Sequence, residues 1–225
     1  MKNLMVSEQV NALDALVRRV PAAETPPPSG FGAEAVFERD LLQHRRLFAE
    51  IASSRSAVCQ AAALMSDTLR RGGRLLFFGN ASAVCGSQHL AAEVCARLAR
   101  GRWPAAAMAA VALSLDEADA VPPRSNGWGD PDGFARLIAA HAHWGDCAIA
   151  ISTTGRSQNV LHGLQMARSL GVSTVGLLGR GDGPATSLVD VAVVVGHDDR
   201  ARIHEAHIFI GHIWCDQIDS ALGPL

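Results

Sequence analysis

The sequence contains no tyrosine and only one lysine, Lys2. A phenolic acid is therefore excluded, and a Schiff-base lysine or a phosphate-loop lysine finds no support. Five cysteines (Cys59, Cys85, Cys95, Cys147 and Cys215) make an odd number with no CxxC pair. They read as small apolar residues in a reducing compartment, not as a disulfide framework or a thiolate zinc site. The longest apolar run, Ala105 to Leu113, falls far short of the roughly 20 residues that span a bilayer. The opening stretch MKNLMVSEQVNALDALVRRV is broken by polar residues and lacks a signal peptide's continuous apolar segment. A soluble, cytoplasmic protein is expected, with no membrane partner. The net charge of −2 gives no overall attraction for nucleic acid, so any anion site must be local. Histidine, carboxylate, hydroxyl and arginine are the chemistry that remains.

The 225 residues suit one large α/β domain, or one domain plus an extension. Residues 4–20 have helical spacing, and PAAETPPPSGFG (21–32) is a proline-rich linker that stops them. From Ala33 to Arg71 apolar residues recur at helical period, with a break expected near Ser53 to Ser56. Short apolar runs then alternate with helical stretches. The runs are Arg74–Phe78, Ala106–Leu113, Cys147–Ile151, Ser173–Leu178 and Val191–Val195. The helices are expected at Val84–Ala99, Pro131–His143, Ser157–Leu170 and from Arg202 to about Leu222. Wholly apolar strands separated by helices predict a parallel sheet covered on both faces: a three-layer α/β/α sandwich of five strands with an N-terminal helical segment.

In open sheets of this kind ligands sit at the carboxyl ends of the strands. Three loops qualify: GNASAVCGS after the first strand, STTGRSQNV after the third and LGRGDGP after the fourth. The second gathers Ser152, Thr153, Thr154 and Ser157 around Gly155, directly before a helix. Hydroxyls and unpaired N–H groups at a positive helix end suit phosphate, and Arg156 can add a charged donor. Ser157 alone would be a plain helix cap; four hydroxyls in six residues exceed what a cap needs.

His89 and Glu93 stand at i and i+4, on one helix face, with His89 immediately after the first loop and Glu93 about one and a half turns past it. That spacing suits two metal ligands, a ligand beside a base, or an ordinary solvated pair. Arg97, on the same face, can hold Glu93 or meet a substrate. In RIHEAHIFIGHIWC, His207 reads as a core residue. His204 and His212 are eight residues apart, which on a regular helix means about 80° of rotation and about 12 Å of rise. One metal ion cannot join both there. Either His204 precedes the regular helix, or the two serve sites of different subunits. Asp198 and Asp199 read as cap residues of that helix.

The order of these motifs, GN…QHLAAE, NGWG, GDCAIAISTTGRSQNV and DDRARIHEAHIFIGHIWC, resembles the phosphoheptose isomerase branch of the sugar isomerase (SIS) domain family over roughly residues 33–222. Residues 1–31 then read as an added extension, and 32–225 as the SIS-like domain. The resemblance implies homotetramers with shared active sites that interconvert sedoheptulose 7-phosphate and a heptose 7-phosphate. It places catalysis on Glu93 and His212, and substrate or phosphate contacts on Asn80, Ser82, Ser152, Thr153, Thr154, Ser157 and Arg97. It implies a divalent metal, Zn²⁺, on His89, Glu93, His204 and His212. The chain departs from the family pattern at Ala83, where a phosphate-binding serine is usual; at Gly86 and Gly127, where aspartates are usual; and at His204, where glutamine is usual.

The expected reaction is an aldose–ketose isomerisation through an enediol(ate), with a carboxylate base and an acid on the other side of the sugar. Two rivals remain from the sequence. One is a non-enzymatic SIS module that binds a sugar phosphate or a protein partner. The other is an isomerase for a different phosphosugar, such as an octose phosphate, in secondary metabolism.

Overall fold

The computed structural model describes residues 32–80, 82–100, 109–115, 130–181 and 183–222. The expected helix over 4–20, nearly all of the proline-rich stretch and the NGWG segment (126–129) lie outside them. The chain divides into two compact units, residues 1–52 and 53–225. In the first, the described part is helix α1 (Ala33–Glu50), with Glu34 in its positive first turn and His44 stacked on Phe48 one turn later. A single 3₁₀ turn, Ile51–Ser54, follows α1. The helical segment over 33–71 is thus two helices, parted close to the expected break.

The second unit begins its regular structure with α2 (Arg55–Arg70), whose apolar stripe Val58, Ala62, Met65 and Leu69 is buried. Strands and helices then alternate: β1 (Leu75–Gly79), α3 (Ser82–Arg100), β2 (Ala110–Leu113), α4 (Gly133–His141), β3 (Cys147–Ser152), α5 (Gln158–Ser169), β4 (Ser173–Gly179), a 3₁₀ turn (Pro184–Leu188), β5 (Val191–Val195) and α6 (Arg200–Leu222). All four strand pairings are parallel, in the order β2-β1-β3-β4-β5. Every residue of β1 and β3 is buried, whereas the edge strands β2 and β5 are only partly so. That is why the central strands read as unbroken apolar runs with no period-2 alternation.

Successive side chains of each strand serve opposite faces. Leu76, Phe78, Ala148, Ala150 and Leu178 pack with α4, α5 and the second 3₁₀ turn, where Phe78 meets Phe134 at 5.2 Å between ring centroids. On the other face lie α2, α3 and α6; α6 packs against both α2 and α3, and all three pack on the sheet. Trp214 of α6 is buried there and donates from Nε1 to the Val58 carbonyl of α2 at 3.1 Å. No helix among the described residues is long and apolar enough to cross a membrane.

Two of the five cysteines do not fit the apolar reading: Cys59 and Cys85 are exposed, Cys95 is half-buried, and Cys147 and Cys215 are buried. The first pair lies on outward faces of α2 and α3, which helical periodicity leaves to solvent.

Candidate active site

From β1 the chain moves to β2 on one side and then returns to place β3 on the other. A crevice therefore opens at the carboxyl ends of β1 and β3, the switch point where ligands bind in such sheets. Gly79 pairs with Ile151 across it, so Asn80 and Ser152 leave the sheet side by side. Their loops are tied by a reciprocal amide pair. Asn80 Nδ2 donates to Asn159 Oδ1 at 2.8 Å, and Asn159 Nδ2 donates to Asn80 Oδ1 at 2.9 Å. Asn159 is buried in the first turn of α5.

The hydroxyl loop turns at Gly155, whose φ of +61° is a left-handed conformation that a side chain would strain. Two of its four hydroxyls are used within the loop. Ser152 Oγ, buried, accepts from Gly155 N at 3.0 Å, and Thr154 Oγ1 accepts from Arg156 N at 3.3 Å. Ser157 occupies the N-cap position of α5 but makes no side-chain cap hydrogen bond. Thr153 and Ser157 are half-buried, with no hydroxyl hydrogen bond among the described residues. The loop thus presents two uncommitted hydroxyls at the positive end of a 12-residue helix. Ser82 opens α3.

The histidines and Glu93 lie on a second feature, the seam between α3 and α6. These helices run in the same direction, because each follows the carboxyl end of a parallel strand. They approach closely at Gly211. A Cβ there would fall 2.5 Å from Leu90 Cδ2, and Leu90 is itself buried. This approach brings His212, the next residue, to His89: their Nε2 atoms are 2.7 Å apart, with the rings edge to face. At that distance one imidazole donates and the other accepts.

Two turns further along α3, and one turn further along α6, Arg97 bridges the seam. Its Nε donates to Glu93 Oε1 at 2.7 Å, and its Nη1 donates to Asp216 Oδ1 of α6. The hydrogen bonds it donates to Asp216 and then to Glu93 raise the guanidinium's pKa still further, so it is permanently charged. Of the roles open to Arg97, the described contacts are those that hold Glu93. Because α3 starts at Ser82, Glu93 lies three turns along it, about 16 Å from its start, and not one and a half turns past the loop.

His204 lies inside the regular helix α6, which removes the possibility that it precedes that helix. Its ring faces the first turns of α3, with Cε1 4.0 Å from where a Gly86 Cβ would stand. It is not gathered with His212. Among the described residues no three His, Cys, Asp or Glu side chains stand ready around one metal ion. The imidazole pair offers the nitrogen donors zinc prefers, although nitrogens on one tetrahedral zinc lie about 3.3 Å apart.

His207 is the core residue expected. Both ring nitrogens are buried without a hydrogen-bond partner among the described residues. Burial pushes its pKa down to about 4, with a smaller lowering from nearby His204 and an opposing pull from the Leu178 backbone. Asp199 caps α6: its Oδ1 accepts from Ala201 N at 2.7 Å, which holds the carboxyl below its ordinary range.

Sequence reasoning passed over three residues that organise the site: Asn159, Gly211 and Asp216. Asp216 had a signal, since it follows His212 by one turn as Arg97 follows Glu93.

Residues 42–179 match the SIS domain family. The chain is 39% identical to the phosphoheptose isomerase of Chlorobaculum parvum over 210 residues, 92% of this chain and 99% of that protein. It is 35% identical to that of Campylobacter concisus over 188 residues, 84% of this chain and 97% of the other. Among solved structures, the phosphoheptose isomerase of Neisseria gonorrhoeae superposes with a TM-score of 0.73 at 30% identity, covering 84% of this chain and all of the other.

Proposed function

We infer the reaction from kinship and geometry together: the chain belongs to the SIS domain family, in its phosphoheptose isomerase branch, and interconverts sedoheptulose 7-phosphate and a heptose 7-phosphate. The observation that carries the reading is the α3–α6 seam, where a carboxylate and an imidazole stand on facing helices in a chain that also holds an anion loop. A binding module has no need of such a pair.

In this reading the sugar phosphate rests on Thr153, Ser157 and the N-terminus of α5, with Ser152 and Thr154 shaping the loop. Asn80 and Ser82 border the crevice. Glu93 removes the proton from the carbon beside the carbonyl, and His212 protonates the neighbouring position or oxygen from the other side, through an enediolate. Glu93 lies about 16 Å along α3 from the sheet edge. That distance favours sites shared between subunits of a homotetramer, one subunit's loop serving another's proton-transfer pair.

Family membership is compatible with a metal cofactor. Zinc is the best match to the donors here: His89 and His212 would hold it, with Glu93 joining once released from Arg97 and His204 acting at another subunit's site. When bound, it would polarise the substrate carbonyl. Elemental analysis of protein purified without chelator reads the metal directly. Residues 1–31 are taken as an extension outside the catalytic domain of 32–225. We take the reaction to run in the cytoplasm, a reading that the unpaired cysteines support.

The deciding experiment follows exchange of the C1 and C2 protons in D₂O with a panel of ketose phosphates. Glu93→Gln and His212→Gln should each lose about 10²–10⁴-fold in turnover while staying folded. A folded, metal-replete Glu93→Gln variant with near-normal rate would remove Glu93 as the base, whereas a wild-type protein inert towards every ketose phosphate would return it to the class of sugar-phosphate binding modules.

A further inference from the structure

Resting on that isomerase reading, we propose that Asp216 is a positioning residue: it anchors Arg97, and through Arg97 it fixes the carboxylate of Glu93 for proton transfer. Three observations carry this.

The first is the pattern of ion pairs. Glu93 and Arg97 are one turn apart on α3, and His212 and Asp216 are one turn apart on α6. The Arg97–Asp216 bridge crosses between the helices about two turns along α3 and one turn along α6 beyond the His89–His212 contact. The His89–His212 contact and the ion-pair bridge are thus two rungs of one ladder along the seam, with Glu93 on α3 between them.

The second is orientation. An isolated i, i+4 Glu–Arg pair on a helix surface contributes little and leaves both side chains free to rotate. Here the guanidinium is held from its far side by Asp216, and the Arg97 side chain is only 18% exposed. A planar fork fixed at one end presents its Nε in one direction, which sets Glu93 Oε1 at 2.7 Å.

The third is Asp216 itself. Its side chain is 67% exposed, so its carboxylate contributes little to the packed interior and its bond to Arg97 is the specific thing it does. A base misplaced by about 1 Å can lose about 100-fold in rate, so a remote carboxylate that keeps the geometry has a measurable effect on turnover.

The test is a double-mutant cycle on the full-length protein, with kcat, KM and thermal midpoint read for each variant. Asp216→Ala should lower kcat about 10- to 100-fold with KM nearly unchanged and the midpoint held. Asp216→Asn, which keeps the shape, should show the same loss, and Asp216→Glu should recover most of the rate. In an Arg97→Ala background, Asp216→Ala should cost nothing further, because its route to Glu93 is already cut. A purely structural aspartate would add its full effect in that background, and this result would overturn the proposal. So would Asp216→Ala at wild-type kcat in an active enzyme, which leaves the isomerase reading intact. A wild-type protein inert towards every ketose phosphate instead overturns the isomerase reading and this inference with it.

Discussion

Asn80 and Asn159, 79 residues apart, exchange both of their side-chain amide hydrogen bonds across the crevice between β1 and β3. The pair clasps the first loop to the helix that presents the anion site. Replacing Asn159 with alanine leaves the Asn80 amide unpaired in a half-buried place. We expect a loss of about 1–3 kcal/mol in stability, together with a higher KM for the phosphosugar as the two loops part. Urea unfolding and steady-state kinetics read the two effects. Unchanged values in both would show that the clasp is incidental.

The phosphate prediction rests on the two uncommitted hydroxyls of the anion loop. Thr153→Ala combined with Ser157→Ala should raise the KM for a sugar phosphate at least about tenfold, since each hydrogen bond to a charged group contributes about 1.5–3 kcal/mol. Stability should barely change, because neither hydroxyl bonds within the described structure. An unaltered KM would move the phosphate elsewhere.

His207 gives stability a pH dependence of known sign. Its folded pKa of about 4 lies below its ordinary 6.5, so the unfolded chain takes up a proton that the folded one refuses. Its neutral, buried state therefore contributes fully above pH 6.5, and that contribution drains away as pH falls toward 4. The slope is at most about 1.4 kcal/mol per pH unit, or about 3 kcal/mol across the window. His207→Leu keeps the volume and removes the titration, so its stability should fall less steeply over that range. Parallel pH profiles for the two proteins would contradict this.

Gly211→Ala sets two effects against each other. Alanine in a helix interior gains about 1 kcal/mol over glycine. Its Cβ would stand 2.5 Å from Leu90 Cδ2, in a place where Leu90 has no open space to enter, and overpacking of this kind costs about 1–3 kcal/mol. We expect the clash to win by about 1 kcal/mol. We also expect a fall in kcat, since widening the seam draws His212 from His89 and Asp216 from Arg97. A variant stabilised by the full helix-propensity gain, at wild-type rate, would show that the seam tolerates the wider spacing.

Much of the architecture could be read along the chain. Parallel strands buried on both faces must be short apolar runs, and the helices between them must carry an apolar stripe, so β1, β3, β4 and β5 appear in the sequence nearly as they fold. The anion loop was legible for a similar reason. Its glycine, its hydroxyls and its helix start are neighbours in sequence, and a helix N-terminus is built from local residues alone. The seam was not legible in this way. His89 meets His212 across 123 residues, and Arg97 meets Asp216 across 119. Histidine spacing on α6 could say only that, on a regular helix, one metal ion cannot join His204 and His212. The level at which each of them meets α3 depends on the strand order that sets the two helices side by side. It depends as well on the missing side chain at Gly211 that lets them close. Helical periodicity fixes which face a residue occupies, but only packing in three dimensions decides what stands opposite.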